Sequence, residues 1–316
     1  MKRMIALILV LMGIVAAVSG CGGVKKKDNS LSIVTTIYPV YDWVKEIAGD
    51  KADIVLLLDK GVDMHSYQPS VDDIMKISNA DVFIYVGGES EAWVEDALKE
   101  AVNKNIRPLS LMDALGNKAK LEEALPGTEK TDKKAEYDEH VWLSLKNAKL
   151  FCDAIAETIA NADTANAGLY LENADKYISR LEALDKEYAD AVKDSEYKAL
   201  LFGDRFPFRY LTEDYGLDYY AAFDGCSAET EASFETVAFL ARKLDELELP
   251  AIIKIDDSDE KLARTIVENT KTKNQKILTL NSMQSTGSGD GIGYIEIMQQ
   301  DLDTLKQALN NELNGG

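Results

Sequence analysis

The 316-residue sequence contains only two histidines, His65 and His140, and only three cysteines. None of the cysteines shows the close pair spacing of cysteine-type zinc sites. An excess of positive charge is also missing, because 55 acidic residues outnumber 35 basic ones and the formal net charge is −20. Nucleic-acid binding requires a basic face that displaces counterions, so this class of partner is excluded.

Motifs of the common hydrolases and phosphate-binding enzymes are absent as well. The sequence has no His-Glu-x-x-His segment and no nucleophile elbow, and its two histidines lie 75 positions apart. The glycine-rich "GSGDGIG" (287–293) lacks the P-loop pattern and is interpreted as a flexible loop. A zinc hydrolase would also need a general base beside an open metal position. We therefore predict that the protein is not an enzyme.

Long apolar runs are missing everywhere except at the N-terminus, where residues 1–20 are typical of a secretory signal peptide. The following "VSGC" looks like a bacterial lipobox, which predicts that Cys21 is lipid-modified, with residues 21–30 as a polar tether. The alternatives are an ordinary signal peptide or a short membrane anchor. The prediction is a lipid-anchored protein on the extracytoplasmic face of the cell membrane.

Short apolar, β-branched runs alternate with amphipathic helical segments along the rest of the chain, which predicts an α/β fold with mainly parallel sheets. A long helix over 166–194 separates two strand-bearing lobes, 31–165 and 195–316, and would serve as a rigid connection between them. The predicted strands are 31–37, 52–58, 81–87, 199–204, 219–223, 251–256 and 276–282.

His65 follows a predicted strand and precedes a helix start at Ser70. A histidine at the carboxyl end of a strand lies where α/β folds bind ligands, although a lone loop histidine is more often simply solvated. His140 precedes the apolar "VWLSL". Asp63 and Asp138 each precede a histidine by two residues and are candidates to orient the rings, or merely to form local turns.

Two stretches give these histidines a context. "DMHSYQPSVDDI" with "ISNADVFIYVGGESEAW", and "DEHVWLSLKNA", resemble the two histidine motifs of the zinc- and manganese-binding lipoproteins that serve ABC importers, the cluster A-I solute-binding proteins. Glu139 replaces the usual proline of the second motif. The resemblance extends over nearly all of the mature chain. It implies two α/β lobes joined by one long helix, with a divalent metal in the cleft between them.

The resemblance also implies a set of metal ligands. The first two carry over onto His65 and His140. The third position falls on Gly203 in "LFGDRFPFRYL", which has no side chain to coordinate a metal, so the neighbouring Asp204 or a water molecule is the substitute. Arg205 could compete with the metal for Asp204, because its guanidinium could pair with that carboxylate.

The fourth ligand carries over onto Asp256, at the end of "AIIKID". An acidic helix cap is the alternative there, and also for the pair Glu229 and Glu231. Nitrogen and oxygen donors suit Zn²⁺, the preferred ion, and Mn²⁺ stays open because the histidine-rich loop of the zinc-type relatives is absent. Cys152 and Cys226 could form a disulfide outside the cytoplasm, but two unpaired thiols are preferred.

These observations predict a monomeric extracytoplasmic lipoprotein that captures Zn²⁺ or Mn²⁺ and delivers it to the transmembrane subunit of an ABC permease. The main competing hypothesis is a degenerate member of the same family that acts as a surface adhesin or binds a different ligand. Gly203 at a ligand position is the feature that favours this alternative.

Overall fold

A computed structural model describes residues 30–122, 125, 136–226 and 231–311. The predicted signal peptide, Cys21, all but the last tether residue, and Glu229 lie outside these ranges. Leu31–Gly316 forms one compact unit. Among the described residues, no helix combines the length and the apolar character needed to cross a membrane.

The first half of the described chain builds a four-stranded parallel sheet with the order β2-β1-β3-β4. Its elements are β1 (Leu31–Thr35), α1 (Tyr38–Ala48), β2 (Ala52–Leu56), α2 (Val71–Ser78), β3 (Val82–Tyr85), α3 (Val94–Lys99), β4 (Arg107–Ser110), α4 (Leu111–Leu115) and α5 (Leu145–Ala162). The predicted strands match β1, β2 and β3. β4 was missed, because its "RPLS" is short and polar and contains a proline, features that are tolerated at a sheet edge.

The second half builds another four-stranded parallel sheet, with the order β6-β5-β7-β8. Its elements are β5 (Ala199–Phe206), α7 (Arg209–Tyr215), β6 (Asp218–Asp224), α8 (Phe234–Glu246), β7 (Ala251–Ile255), α9 (Lys261–Glu268), β8 (Lys276–Leu280) and α10 (Tyr294–Ala308). All four strands were predicted. Both sheets are parallel because each strand is followed by a helical crossover, and this confirms the α/β class.

The two sheets are joined by α6 (Ala167–Asp194), a helix of 28 residues and roughly 42 Å. One face of it is buried and includes Ala174, Leu181 and Tyr188, whose hydroxyl donates to the carbonyl of Met298 in the second half. Leu171 of this helix is exposed, whereas its neighbour Tyr170 is fully buried. The long connecting helix expected of the fold is therefore present.

A continuous apolar core runs through both halves of the molecule, from β1 and α1 through α5 and α6 to β5, β7 and α10. Polar contacts reinforce it. The Trp142 indole N–H donates to the Ser282 carbonyl at 2.9 Å, and the Tyr294 hydroxyl donates to the Trp142 carbonyl at 2.7 Å. Such a shared core opposes large hinge motion between the two sheets.

Candidate metal centre

His65 is held on the loop that follows β2. A single 3₁₀ turn, Met64–Ser66, begins with Asp63, whose carboxylate accepts the His65 backbone N–H at 2.9 Å. This local cap explains why an aspartate two residues before the histidine favours the turn. The His65 side chain is 14% exposed, so its ring faces the protein interior.

His140 is held by a similar device and is fully buried. Oδ1 of Asp138 accepts the His140 backbone N–H at 2.9 Å and also lies 2.9 Å from Nδ1 of the ring. The buried guanidinium of Arg209 approaches the other oxygen of Asp138, with Nε at 3.4 Å. A carboxylate oxygen accepts hydrogen bonds and donates none, so this contact places the proton of His140 on Nδ1 and leaves Nε2 as a lone-pair donor.

The two imidazoles meet through the nitrogens that a metal would use. Nε2 of His65 lies 3.2 Å from Nε2 of His140. Around a tetrahedral zinc ion with Zn–N bonds of 2.0–2.1 Å, two ligand nitrogens lie about 3.3 Å apart. With the His140 proton on Nδ1, the Nε2–H group of His65 can donate to Nε2 of His140. A cation bound by both nitrogens would replace that proton.

The turn after β3, which contains Gly88, carries Ser90, whose hydroxyl orients the ring of His65. Ser90 Oγ lies 2.9 Å from Nδ1 of His65, and the Ser90 backbone N–H donates to Oε1 of Glu139 at 3.0 Å. Gly88 has a φ of +89°, and a side chain there would collide with the Glu139 carboxylate. Ser90 and Glu139 thus tie the two histidine segments together, and sequence reasoning did not assign either residue to the site.

Burial shifts the pKa values of two side chains at this site, His65 and Glu139. Burial, and after it the neighbouring His140, lower the pKa of His65 to about 4. Burial raises the pKa of the Glu139 carboxyl above its ordinary value. A neutral imidazole is the form that binds metals, so His65 is held in its binding form at neutral pH.

Cys226 completes the group of metal-ligating side chains in the described part of the chain. Its Sγ, one ring nitrogen of His65 and one of His140 all lie within 4.8 Å of one another. Cys226 and Cys152 are both free thiols, the alternative that the sequence analysis preferred. Spacing along the chain gave no signal for Cys226, because a loop after β6 brings it to histidines that lie far away in sequence.

The predicted third ligand position lies at an irregularity of β5. The pairing of β5 with β6 shifts register between Phe202 and Arg205. A side chain at Gly203 would meet Ala263 of α9 and Ile252 of β7, which belong to the apolar cluster behind the sheet. Glycine at this position is therefore required by packing, and a longer side chain there would point into the core.

The carboxylate of Asp204 is buried and holds the sheet together. Oδ1 accepts the Arg205 backbone N–H at 2.8 Å, and Oδ2 accepts the Ile255 backbone N–H at 3.1 Å. Arg205 pairs with Asp63 rather than with Asp204, with 3.2 Å between Nη1 and Oδ2, so its cation bridges the first and second halves of the chain.

Asp256 lies directly after β7, as predicted, but its oxygens are engaged by the loop after β8. Oδ1 accepts the backbone N–H of Ser282 at 2.6 Å and its hydroxyl at 2.8 Å, and Oδ2 accepts the Ser285 hydroxyl at 2.9 Å. The structure thus brings His65 and His140 together, while the carboxylates of Asp204 and Asp256 lie outside the group formed with Cys226.

A cavity of about 960 Å³ opens beside these residues and is lined by Asp63, Asp204, Arg205 and the exposed Glu231, among others. A smaller one of about 170 Å³ lies against Asp256 and shares Asp63 and Arg205 with the first. Both cavities border carboxyl ends of parallel strands, which is where α/β sheets bind ligands.

Two parallel sheets flanked by helices, one long connecting helix and two inward-facing imidazoles define a two-lobed α/β protein whose paired ring nitrogens could hold a cation. The model of the family described as "ZnuA: Zinc-uptake complex component A periplasmic" matches residues 33–308. The chain belongs to this family, which confirms the resemblance seen in its two histidine motifs.

Individual relatives agree with this assignment. The high-affinity zinc uptake system protein ZnuA of Bacillus subtilis is 32% identical over 294 residues, 91% of this chain and 90% of that protein. The zinc-binding lipoprotein AdcA of Streptococcus pneumoniae is 31% identical over 301 residues, 92% of this chain. This chain spans only 58% of the length of that relative.

Solved structures show the same architecture. The Zn(II)-bound ZnuA-like domain of Streptococcus pneumoniae AdcA superposes with a TM-score of 0.71 at 31% identity, covering 89% of this chain and 100% of that one. A mutant structure of the laminin-binding adhesin Lmb from Streptococcus agalactiae reaches a TM-score of 0.73 at 25% identity, covering 89% and 100%.

Proposed function

We propose that this protein captures a divalent transition metal, with Zn²⁺ as the preferred ion, outside the membrane and delivers it to an ABC permease. The observation that carries the proposal is the 3.2 Å approach of two Nε2 atoms, each on a ring held at its Nδ1 side. That arrangement matches the nitrogen spacing of a zinc site. The zinc-related names of the relatives point to the same ion.

The working setting of the proposed function is the extracytoplasmic face of the cell membrane. We infer that residues 1–20 direct export, that Cys21 carries the lipid and that residues 21–30 form the tether of a monomeric binding protein. The proposed lobes are residues 31–165 and 195–316, with 166–194 between them. Relatives named as lipoproteins support the anchoring.

Capture and release need no covalent chemistry. The neutral imidazoles of His65 and His140 bind the ion through Nε2, while Asp138 and Ser90 hold the rings in place. Because the two sheets share one core, closure over the ion is a small adjustment at the Asp63–Arg205 bridge. Docking on the permease would release the ion by disturbing this bridge and the histidine loop beside it.

The assignment of Asp204 and Asp256 as ligands stays a prediction. Their hydrogen bonds to backbone and hydroxyl groups favour a structural role, because a carboxylate that turned to a metal would leave buried N–H groups unsatisfied. We therefore place His65 and His140 as the metal ligands of the proposed function.

Titration calorimetry tests the proposal. Chelator-stripped protein, from Gly22 on, is titrated with Zn²⁺ and separately with Mn²⁺, beside His65→Ala. One tight equivalent of zinc is expected for the wild type, and His65→Ala should weaken binding by more than about a hundredfold, since supporting residues alone are typically worth 10- to 100-fold. Equal binding by the two proteins would refute the proposal.

The adhesin alternative has one observation in its favour, the similarity to the laminin-binding adhesin. It predicts that the surface interaction persists after the metal site is removed. Immobilised laminin probed with wild type and His65→Ala separates the two functions. Equal, saturable laminin binding by both, without tight zinc binding by the wild type, would favour the adhesin.

A further inference from the structure

The loop after β6 places a thiol beside the two histidines. Cys226 follows the last residue of β6, Asp224, by two positions and is partly buried. Its Sγ lies within 4.8 Å of one ring nitrogen of His65 and one of His140. The other described cysteine, Cys152, is fully buried on α5 and belongs to the apolar core.

The backbone around Cys226 is fitted to the imidazole of His140. A side chain at Gly225 would come within 3.0 Å of Cε1 and 3.1 Å of Nδ1 of His140, and within 2.9 Å of the Phe206 carbonyl oxygen. Only glycine lets the loop press against the ring at this point. The Cys226 backbone N–H donates to Oε1 of Glu122 at 3.2 Å, which holds the loop from the other side.

Imidazole nitrogen and thiolate sulfur are both common zinc ligands and occur together in many zinc sites. Ligand atoms around a tetrahedral zinc ion lie about 3.3–3.7 Å apart, and the Cys226 sulfur already lies within 4.8 Å of a ring nitrogen of each histidine. The predicted carboxylate ligands, Asp204 and Asp256, would need to break their own hydrogen bonds to reach the ion.

We propose that the Cys226 thiolate is a third protein ligand of the captured ion, in a His₂Cys set with His65 and His140. The inference rests on the proposed function and assigns that site to zinc and similar soft divalent ions rather than to manganese, because thiolate disfavours hard cations. On binding, a metal–sulfur bond forms, the S–H bond breaks and the proton passes to solvent.

Cobalt serves as a spectroscopic probe of the ligand set. Co²⁺ is added to chelator-stripped protein from Gly22 on, which contains the whole compact unit, and to Cys226→Ser and Cys152→Ser. Wild type and Cys152→Ser should show a thiolate-to-cobalt charge-transfer band in the near ultraviolet, and Cys226→Ser should lack it. Zinc affinity of Cys226→Ser should fall by on the order of a hundredfold, with a smaller change for Mn²⁺, so that zinc selectivity decreases.

The outcomes separate this inference from the proposed function. If the wild type binds cobalt and zinc through histidine, with binding lost in His65→Ala, but shows no charge-transfer band, Cys226 is not a ligand and the metal-capture function stands. A band that persists in Cys226→Ser also overturns the inference. If the wild type binds neither ion, the proposed function itself fails.

Discussion

Two regions that the family resemblance treats as equal halves of one site are built in different ways. On the first half of the chain, Asp138 and Ser90 engage the Nδ1 side of each ring, so that both Nε2 atoms face each other. On the second half, Asp204 and Asp256 have both carboxylate oxygens occupied by backbone and serine groups.

The difference lies in whether the donor atoms at an expected ligand position already accept hydrogen bonds from backbone and serine groups. Asp204 lies on β5 and Asp256 directly follows β7, and both strands are central in the second sheet. Their position along the chain is suitable, but their oxygens already satisfy N–H groups that burial would otherwise leave unpaired. The two histidines instead direct their Nε2 atoms toward each other, which is the arrangement that the proposed metal site uses.

The largest effect on zinc binding is expected for His140→Gln. Glutamine keeps a side chain that can donate to Asp138 but offers no imidazole nitrogen, so zinc affinity should fall by more than about a hundredfold. Zinc should raise the Tm of the wild type and leave that of the variant unchanged, because a ligand stabilises only the state it binds.

Calorimetry and thermal melts with and without zinc measure both quantities. A matched control is Gln284→Leu, a change near Asp256 at the smaller cavity that leaves the histidine cluster intact. If His140→Gln keeps the zinc-dependent rise in Tm, the histidine pair is not the site and the contrast between the two halves disappears.

The next effect is expected for Asp138→Asn, which removes the charge behind His140 and keeps an acceptor oxygen. Zinc affinity should fall by roughly 10- to 100-fold, because such a carboxylate strengthens the ring as a donor. Asp185→Asn is the control, since Asp185 of the connecting helix forms an ion pair with Lys149 of α5. Equal zinc affinities for the two variants would show that Asp138 only holds the turn.

Much of this architecture could be predicted from the sequence. The apolar runs that became β1, β3, β5 and β7 are largely buried, so apolar composition alone identified them. His65 and His140 were singled out because they are the only two histidines of the chain and lie in the two motifs of the family resemblance. In the structure, an aspartate two residues before each of them accepts its backbone N–H.

What escaped prediction depends on contacts between distant segments. Ser90 contacts His65, which lies 25 positions earlier in the chain. Cys226 lies beside both histidines because β6, which precedes it, pairs with β5. A side chain at position 203 would point into the core, next to a register shift in β5 that no pattern of residue types encodes. Local features of the candidate site could therefore be predicted from the sequence, whereas its contacts between distant segments could not.

A smaller effect is expected for Ser90→Ala, which removes the partner of Nδ1 of His65. Zinc affinity should fall by about tenfold or less, because a neutral hydroxyl orients the ring without adding charge. Ser66→Ala is the matched control, since Ser66 lies next to His65 and its exposed hydroxyl donates to the Asp63 carbonyl at 3.3 Å. A loss as large as that of Asp138→Asn would mean that Ser90 itself approaches the ion.

The smallest effect on affinity is expected where the resemblance placed two of the four ligands. Asp204→Ala should leave the buried N–H of Ile255 without its acceptor, which costs about 1–3 kcal/mol of stability, while zinc affinity changes by less than about threefold. Asp256→Ala should likewise lower stability and leave zinc affinity nearly unchanged, because the Ser282 N–H and the Ser285 hydroxyl lose their acceptor. Urea denaturation of the zinc-free protein gives the first quantity and calorimetry the second. Because the two readouts are independent, a structural carboxylate lowers stability alone, whereas a ligand lowers affinity as well. If either variant loses zinc as strongly as His140→Gln, the two halves of the site are equivalent after all, and that carboxylate turns to the ion on binding.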